Sequence, residues 1–254
     1  MRITLLGTGT SQGVPVIACD CEVCKSRNPR DKRLRSSIMI EVENQTFVID
    51  TGPDFRQQML RECVEKVDAI LFTHHHKDHV AGMDDIRAFN YRSGKDMQLY
   101  CTKLTEDALR KEFSYVFSEK KYPGVPEVKI NTIKNKPFKI QDTIITPISA
   151  KHYIMPVFGF RIKDFVYLTD VSFISDKEKE KMKGADLIIL DALRKKEHIS
   201  HFNLEQALSL LEELKPQQAL LTHISHYMGL HDDVNSELVN NINLGYDGQQ
   251  IILS

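Results

Sequence analysis

Short apolar runs bounded by polar and turn-forming residues recur along the whole chain. Their length and β-branched content predict strands at residues 3–6, 37–42, 46–50, 69–73 and 97–101, and again at 143–148, 157–162, 165–169, 186–190 and 218–222. Asn44 and Gln45 lie between two of these runs and make a hairpin turn there, a weaker signal than Asn-Gly. Helical periodicity predicts helices at 53–63, 83–91, 105–117, 175–182, 204–214 and 232–241. In the segment 204–214, Leu204, Ala207, Leu208, Leu211 and Leu214 share one face, and Pro216 stops the helix. Strands outnumber helices and both occur in each half, so two sheets packed face to face with helices outside fit the pattern, an α/β protein of one domain over residues 1–254.

Composition changes this picture little. The chain has 254 residues, 41% hydrophobic and 27% charged, with a formal net charge of −1, which is ordinary for a globular protein and gives no global electrostatic argument for nucleic acid or membrane. No apolar run approaches the roughly 20 residues that span a bilayer. The N-terminal segment turns polar and glycine-rich after Leu6, so it reads as a first strand and not a signal peptide. The expected compartment is the cytosol, which shifts the five cysteines away from disulfides. Gly7, Gly9 and Gly13 miss the dinucleotide-binding spacing by one position and lack a phosphate-loop ending, so a tight turn is expected there.

Chemistry enters at residues 73–79, Thr-His-His-His-Lys-Asp-His, directly after a strand-like run. His74, His76, Asp78 and His79 are four potential metal ligands within six residues. A histidine cluster can be a solvated loop or a tag, but this one is internal, contains an aspartate and sits at a strand end. Imidazole and carboxylate ligands suit zinc, manganese or iron, and the mixture suggests more than one ion. Residues two apart in an extended segment point the same way, so His74 and His76 can share one ion, with Asp78 and His79 reaching a second. Three further residues, His152, Asp170 and His223, also stand at strand ends.

With Asp50-Thr-Gly-Pro-Asp54, these residues resemble the metallo-β-lactamase superfamily nearly end to end. That resemblance implies a four-layer αββα sandwich of two mixed sheets and a binuclear hydrolase centre. It implies one ion on His74, His76 and His152, another on Asp78, His79 and His223, with Asp170 bridging and Asp50 as a supporting carboxylate.

Cys19, Cys21 and Cys24 form a compact thiolate cluster in a polar loop, three ligands of a closed zinc site that needs a fourth. Cys63 and Cys101 fall in a predicted helix and strand and are expected to pack as small apolar residues. The cysteine loop, residues 33–37, and the pair His223 and His226 resemble the phosphoribosyl 1,2-cyclic phosphate phosphodiesterase branch of the superfamily. The resemblance implies a structural zinc on Cys19, Cys21, Cys24 and His226. It also makes His201 a candidate acid for the leaving alkoxide, Asp78 being the other candidate catalytic residue. The competing reading of His201 is a helix-entry residue beside the cap Asn203.

The implied activity is a metal-dependent hydrolase acting on a cyclic phosphate or small phosphodiester by attack of a metal-held hydroxide, with two divalent catalytic ions (Mn²⁺ or Zn²⁺). A tRNA 3′-end-processing endonuclease of the same superfamily is the competing enzyme; nucleic acid is a less favoured partner, since no long basic arm is visible. A non-hydrolytic protein like that of pyrroloquinoline quinone biosynthesis is the alternative of another class. Arg35, Arg56, Arg87 and Lys151 are candidate pocket cations, and Tyr115, Phe117 and residues 120–126 a candidate lid. The segment from Val80 is expected to begin a helix whose N-terminus faces the site and favours anions. A homodimer is compatible with the sequence but no motif supports it.

Overall fold

The computed structural model describes residues 1–239 and 241–253. Its strands are β1 (Arg2–Gly7), β2 (Ser37–Val42), β3 (Gln45–Ile49), β4 (Ala69–Leu71), β5 (Met97–Cys101), β6 (Val128–Thr132), β7 (Phe138–Ile140), β8 (Thr143–His152), β9 (Met155–Ile162), β10 (Phe165–Leu168), β11 (Phe173–Ile174), β12 (Leu187–Asp191), β13 (Gln218–Thr222), β14 (Ile242–Leu244) and β15 (Gln250–Ile252). Its helices are α1 (Glu22–Lys25), α2 (Phe55–Arg61), α3 (Lys77–Val80), α4 (Arg87–Ser93), α5 (Lys103–Glu112), α6 (Asp176–Lys179), α7 (Leu204–Leu214) and α8 (His231–Glu237).

One sheet runs β15-β1-β2-β3-β4-β5-β6, and the other β11-β8-β9-β10-β12-β13-β14 with β7 on β8. Both are mixed: β3 to β6 are parallel neighbours, as are β10, β12, β13 and β14, while the hairpins β2–β3 and β8–β9 are antiparallel. The central strands are apolar on both faces, as strands covered on both sides must be. Phe47, Ile49, Leu71, Leu187, Ile189 and Leu220 point into the layer between the sheets, with Phe160, Phe165 and Tyr167. Their alternates face outward. Val48, Ile70 and Leu99 meet Phe55, Met59, Phe89 and Leu109 of the helices on one side. Ile188, Leu190 and Leu221 meet Ala207, Leu210, Leu211 and Val234 on the other. The result is the expected αββα order of layers.

Several boundaries differ from expectation. The predicted helix 83–91 is a 3₁₀ turn, Met83–Ile86, followed by α4. The predicted helix 175–182 shrinks to α6, and 105–117 becomes α5. The predicted helix 232–241 is α8, ending at Glu237; Asn240, inside that range, lies outside the described residues. Cys63 is neither helical nor packed: it follows the C-cap of α2 with φ 51° and is exposed, because the chain reverses there in a left-handed turn. Cys101 ends β5 and is buried, as expected. Among the described residues no helix is long and apolar enough to cross a membrane.

Candidate metal centre

The site lies where strands of both sheets end. Asp50 follows β3, Asp170 comes two residues after β10, and His223 follows β13; all three are buried and have positive φ, of 66°, 56° and 58°. Side chains other than glycine rarely take this left-handed backbone, and aspartate is among those that do so more often. Here it turns the chain at the strand end, where an extended residue would point into one of the packed layers. His152 is the last residue of β8. The His74–His79 segment leaves β4 through Phe72 and Thr73. Helix α3 begins within it at Lys77, with His76 as N-cap, so the helix expected from Val80 instead carries Asp78 and His79 in its own single turn. A four-residue helix has little dipole to offer an anion. Gly52 is required beside it: a Cβ there would stand 2.2 Å from the carbonyl oxygen of Asp78.

Two groups of ligand atoms meet across Asp170. His74, His76 and His152 form one group; Asp78, His79, Asp170 and His223 form the other, and within each group the atoms lie within 4.8 Å of one another. Asp170 Oδ2 is 3.9 Å from His74 Nε2 and 4.0 Å from His152 Nε2. Its Oδ1 is 3.2 Å from His79 Nε2 and 3.3 Å from His223 Nε2. Asp78 Oδ2 faces the same two nitrogens at 3.3 and 3.5 Å.

The outer ring nitrogens fix how these imidazoles present themselves. His79 Nδ1 donates to Asp50 Oδ2 at 2.7 Å, and His152 Nδ1 donates to the Ser200 carbonyl at 2.7 Å. Thr73 Oγ1 sits between Asp50 Oδ2 (2.8 Å) and His74 Nδ1 (3.0 Å), and the Thr73 N–H donates to Asp50 Oδ1 at 2.8 Å. Each arrangement turns Nε2 toward the centre, the role a supporting carboxylate plays around a metal. The Nε2 atoms of His74, His79 and His223 are buried with no hydrogen-bond partner in the protein. Buried polar atoms are seldom left so, and imidazole nitrogens converging on carboxylates fit divalent cations.

The carboxylates collect positive charge at this centre: burial opposes it, yet Asp78, Asp170 and Asp50 hold His79 well above the usual imidazole range. Burial opposes the charge on Asp170, yet His223 and His79 hold its carboxyl well below the usual range; Asp78 is likewise held low against burial, by His79 and His223. Burial pushes His74 well down, leaving it neutral and able to ligate. Burial raises Asp50, with His79 acting against the shift.

His201 stands beside this centre, its Nε2 4.0 Å from Asp170 Oδ2 and its ring 4.5 Å from that of His152. Its Nδ1 donates to Asp191 Oδ2 at 3.0 Å, and that oxygen also accepts the Val171 N–H at 2.9 Å. Burial alone would lower this imidazole, but Asp191 lifts it to about 9. Asn203 caps α7 through a capping box with Gln206, so the helix-entry reading holds for Asn203 while His201 itself turns toward the site. Asp191 is the residue sequence reasoning passes over. Its signal is the one that marks Asp170: an acid closing a buried apolar run.

The cysteine loop is separate. His226 Nδ1 lies 3.2, 3.3 and 3.5 Å from the sulfurs of Cys19, Cys21 and Cys24. A tetrahedron with Zn–S near 2.3 Å and Zn–N near 2.0 Å has S–N edges of about 3.5 Å. The Val16 N–H donates to Cys24 Sγ and the Cys24 N–H to Cys21 Sγ, bonds that favour thiolates. The Cys24 amide lowers Cys21 to about 6, while burial pushes Cys24 up to about 11.

The remaining candidates divide. Arg35 pairs with Asp54 and Arg87 with Asp84, and Arg56 lines a groove with Met59 and Phe89. Lys151 Nζ lies 5.8 Å from the Phe173 ring centroid. Phe117 packs against the helix-side core and Tyr115 donates to Asp84. Residues 120–126 belong to the loop between α5 and β6, where Tyr91 Oη donates to the Gly124 carbonyl.

Known proteins share this architecture. A family model described as a beta-lactamase superfamily domain matches residues 45–224. An octanoyltransferase of Porphyromonas gingivalis is 37% identical over 256 residues; the match covers 100% of the chain but only 52% of that protein, so the chain spans about half its length. Ribonuclease Z of Bacillus subtilis is 22% identical, with 90% of each chain covered. Among solved structures, a diphosphatase from the PhnP family superposes with a TM-score of 0.93 at 37% identity, covering 100% of this chain and 98% of that one. Zn²⁺-bound PqqB from Methylobacterium extorquens gives 0.83 at 17% identity over the full length of both, which speaks to fold alone. With this match over most of its length and the layered fold described above, the chain belongs to the beta-lactamase superfamily and has the metallo-β-lactamase fold.

Proposed function

We propose that the protein is a metal-dependent phosphodiesterase acting on a cyclic phosphate or small phosphodiester. The observation that carries this reading is Asp170, whose two carboxylate oxygens face two separate sets of imidazole nitrogens. His74, His76, His152 and Asp170 would hold one divalent ion; Asp78, His79, His223 and Asp170 would hold the other. Manganese and zinc both suit these ligands, and zinc suits Cys19, Cys21, Cys24 and His226. When bound, the catalytic ions neutralise charge on the phosphoryl oxygens and make a water acidic enough to attack at neutral pH.

The chain's own residues do the rest. Asp50 keeps His79 in the tautomer that leaves Nε2 free, and the Ser200 carbonyl does the same for His152. As the bond from water oxygen to phosphorus forms and the bond to the leaving oxygen breaks, His201 gives its Nε2 proton to the departing alkoxide. Asp191 holds His201 in that orientation and supports its charge. The PhnP-family neighbour is named a diphosphatase and the Bacillus relative a ribonuclease, so both names describe reactions at phosphorus.

The test is metal analysis followed by a panel of cyclic and linear phosphodiesters. Chelation abolishes turnover, and Mn²⁺ or Zn²⁺ restores it. Asp170→Ala loses both catalytic ions; turnover unchanged in that variant sinks the reading. Cleavage of precursor tRNA in preference to every small diester would favour the endonuclease, the reading that likeness to ribonuclease Z over 90% of both chains supports.

A further inference from the structure

Three exposed apolar side chains adjoin, in the chain, histidines at or beside the metal centre. Tyr153 and Ile154, 54% and 79% exposed, follow His152 directly; Ile199, 70% exposed, lies between His198 and Ser200. Strands β8 and β9 pair as far as His152 with Met155, so Tyr153 and Ile154 are the two-residue tip of a hairpin. Such tips favour Asn-Gly or Asp-Gly, because their backbone is left-handed. Tyr153 has φ 57° all the same. The tip is also fastened: the Tyr153 N–H donates to Ser172 Oγ at 2.8 Å, and that hydroxyl donates to the Lys151 carbonyl. Turn chemistry does not account for a tyrosine and an isoleucine here, and core packing does not either.

The tip stands on the acid's side of the centre. His152 Nδ1 is bonded to the Ser200 carbonyl, and the ring of His201 packs 4.5 Å from that of His152 and 5.3 Å from that of His198. The three apolar residues are thus immediate chain neighbours of the imidazoles around His201, which a leaving oxygen must approach. In the adjoining loop Arg194 donates to the carbonyls of Lys196 and Glu197, and Lys195 pairs with Glu237.

Resting on the phosphodiesterase reading, we propose that Tyr153, Ile154 and Ile199 form a leaving-group wall that selects diesters whose departing alcohol carries a flat ring. Tyrosine supplies stacking area and the two isoleucines apolar contact. The wall determines specificity and takes no part in bond breaking.

The probes are the cyclic phosphates of phenylethane-1,2-diol and propane-1,2-diol, the same five-membered diester bearing a phenyl or a methyl group. Metal-loaded wild-type enzyme prefers the phenyl diester by about tenfold in kcat/KM, through KM, as one aromatic contact allows. Tyr153→Asn suits the left-handed backbone better than tyrosine, so a loss in this variant is not a loss of folding. It brings the preference to about twofold while the methyl diester keeps its rate, and Tyr153→Phe keeps the preference. Ile154→Ser and Ile199→Ser each lower it partly. Absence of a phenyl preference in the wild type overturns the proposal, as does an equal loss on both probes in Tyr153→Asn. If the metal-loaded enzyme hydrolyses neither these diesters nor any of the wider panel, the phosphodiesterase reading itself fails; hydrolysis without discrimination overturns the wall alone.

Discussion

Replacing Asp191 by asparagine removes one charge from the centre, where its Oδ1 also lies 3.9 Å from Nδ1 of His223. The side chain is fully buried, and a single oxygen, Oδ2, accepts both the His201 Nδ1–H and the Val171 N–H. An asparagine with its oxygen in that place keeps both bonds, so geometry survives while the charge that supports protonated His201 is lost. A hydrogen bond to a charged group is worth about 1.5–3 kcal/mol and a neutral one about 0.5–1.5, so the retained bond weakens by about 1–1.5 kcal/mol. At about 1.4 kcal/mol per tenfold, kcat for a diester with an alkoxide leaving group falls by roughly 5- to 12-fold. A p-nitrophenolate departs without a proton, so its loss is about threefold or less.

The pH profile carries the sign. His201 is lifted to about 9, Asp191 outweighing burial, so the acid form is present at neutral pH and is lost as pH rises through that value. Cations on Asp170 pull the imidazole down, placing the alkaline limb for alkoxide substrates at or below about 9. In Asp191→Asn the limb moves at least about one unit to acid. The assay is kcat against pH for propane-1,2-diol cyclic phosphate and for a p-nitrophenyl diester, with metal content measured in both proteins. Equal losses on the two substrates at full metal occupancy refute the reasoning, because Asp191 would then act through the architecture of the site.

Two further outcomes rest on other parts of the molecule. The buried apolar cluster of the cysteine loop is small, Val14, Val23 and Cys24, so the fourfold ligand set holds the loop in place. Cys24→Ser loses one zinc per chain and melts several degrees lower, read by metal analysis and calorimetry; an unchanged zinc content rules the site out. His231 is pushed down to about 4 by burial, and by Arg33, whose guanidinium donates to its Nδ1 at 3.0 Å. The folded chain then binds fewer protons than the unfolded one between pH 4 and 6.5, so this stability is complete above about 6.5 and lost toward 4; the full shift is worth about 3.4 kcal/mol, which solvent screening reduces to about 2. Urea unfolding of wild type and His231→Gln at pH 7 and pH 5 checks it: the gap between them narrows on acidification, and a constant gap contradicts the argument.

What could be read from the chain follows from physics more than from length of motif. Strands β3, β4, β10, β12 and β13 are covered on both faces, so they stand out as continuous apolar runs. The strands that escape notice are short or at sheet margins: β6, β7, β14 and β15 mix lysine, asparagine or glutamine into their runs, and β11 is only two residues long. Such sequences read as loop until a neighbouring strand supplies hydrogen bonds. Helices run short of their periodic patterns for a related reason. Phe113 and Val116 are buried against the core in the turns after α5, so apolar spacing continues after the helix has ended. At the site, residues at strand ends declare themselves when a histidine motif points to them. Asp191 has the same position with no motif, and Thr73 and Ser200 act through one hydroxyl and one carbonyl that no pattern of residue types reveals.

Three left-handed residues put backbone strain at the centre, where the ions would bind. Asp50, Asp170 and His223 each take a backbone that disfavours a side chain by about 1–2 kcal/mol, and each does so at the end of a strand with a parallel neighbour. Asp50, Asp78, Asp170 and Asp191 gather there, and three imidazole nitrogens face them unpaired. Divalent cations would relieve both the like charges and the unpaired nitrogens. Saturation at about 100 times Kd stabilises the folded state by about 2.7 kcal/mol per ion. For a chain of this size that is about 5–10 °C in Tm for each ion. Calorimetry of Cys24→Ser, stripped and then loaded with Mn²⁺, separates this effect from the structural zinc. A rise of that order shows that Mn²⁺ binds the folded centre; an identical Tm in the two states would mean that these strand ends hold no ion.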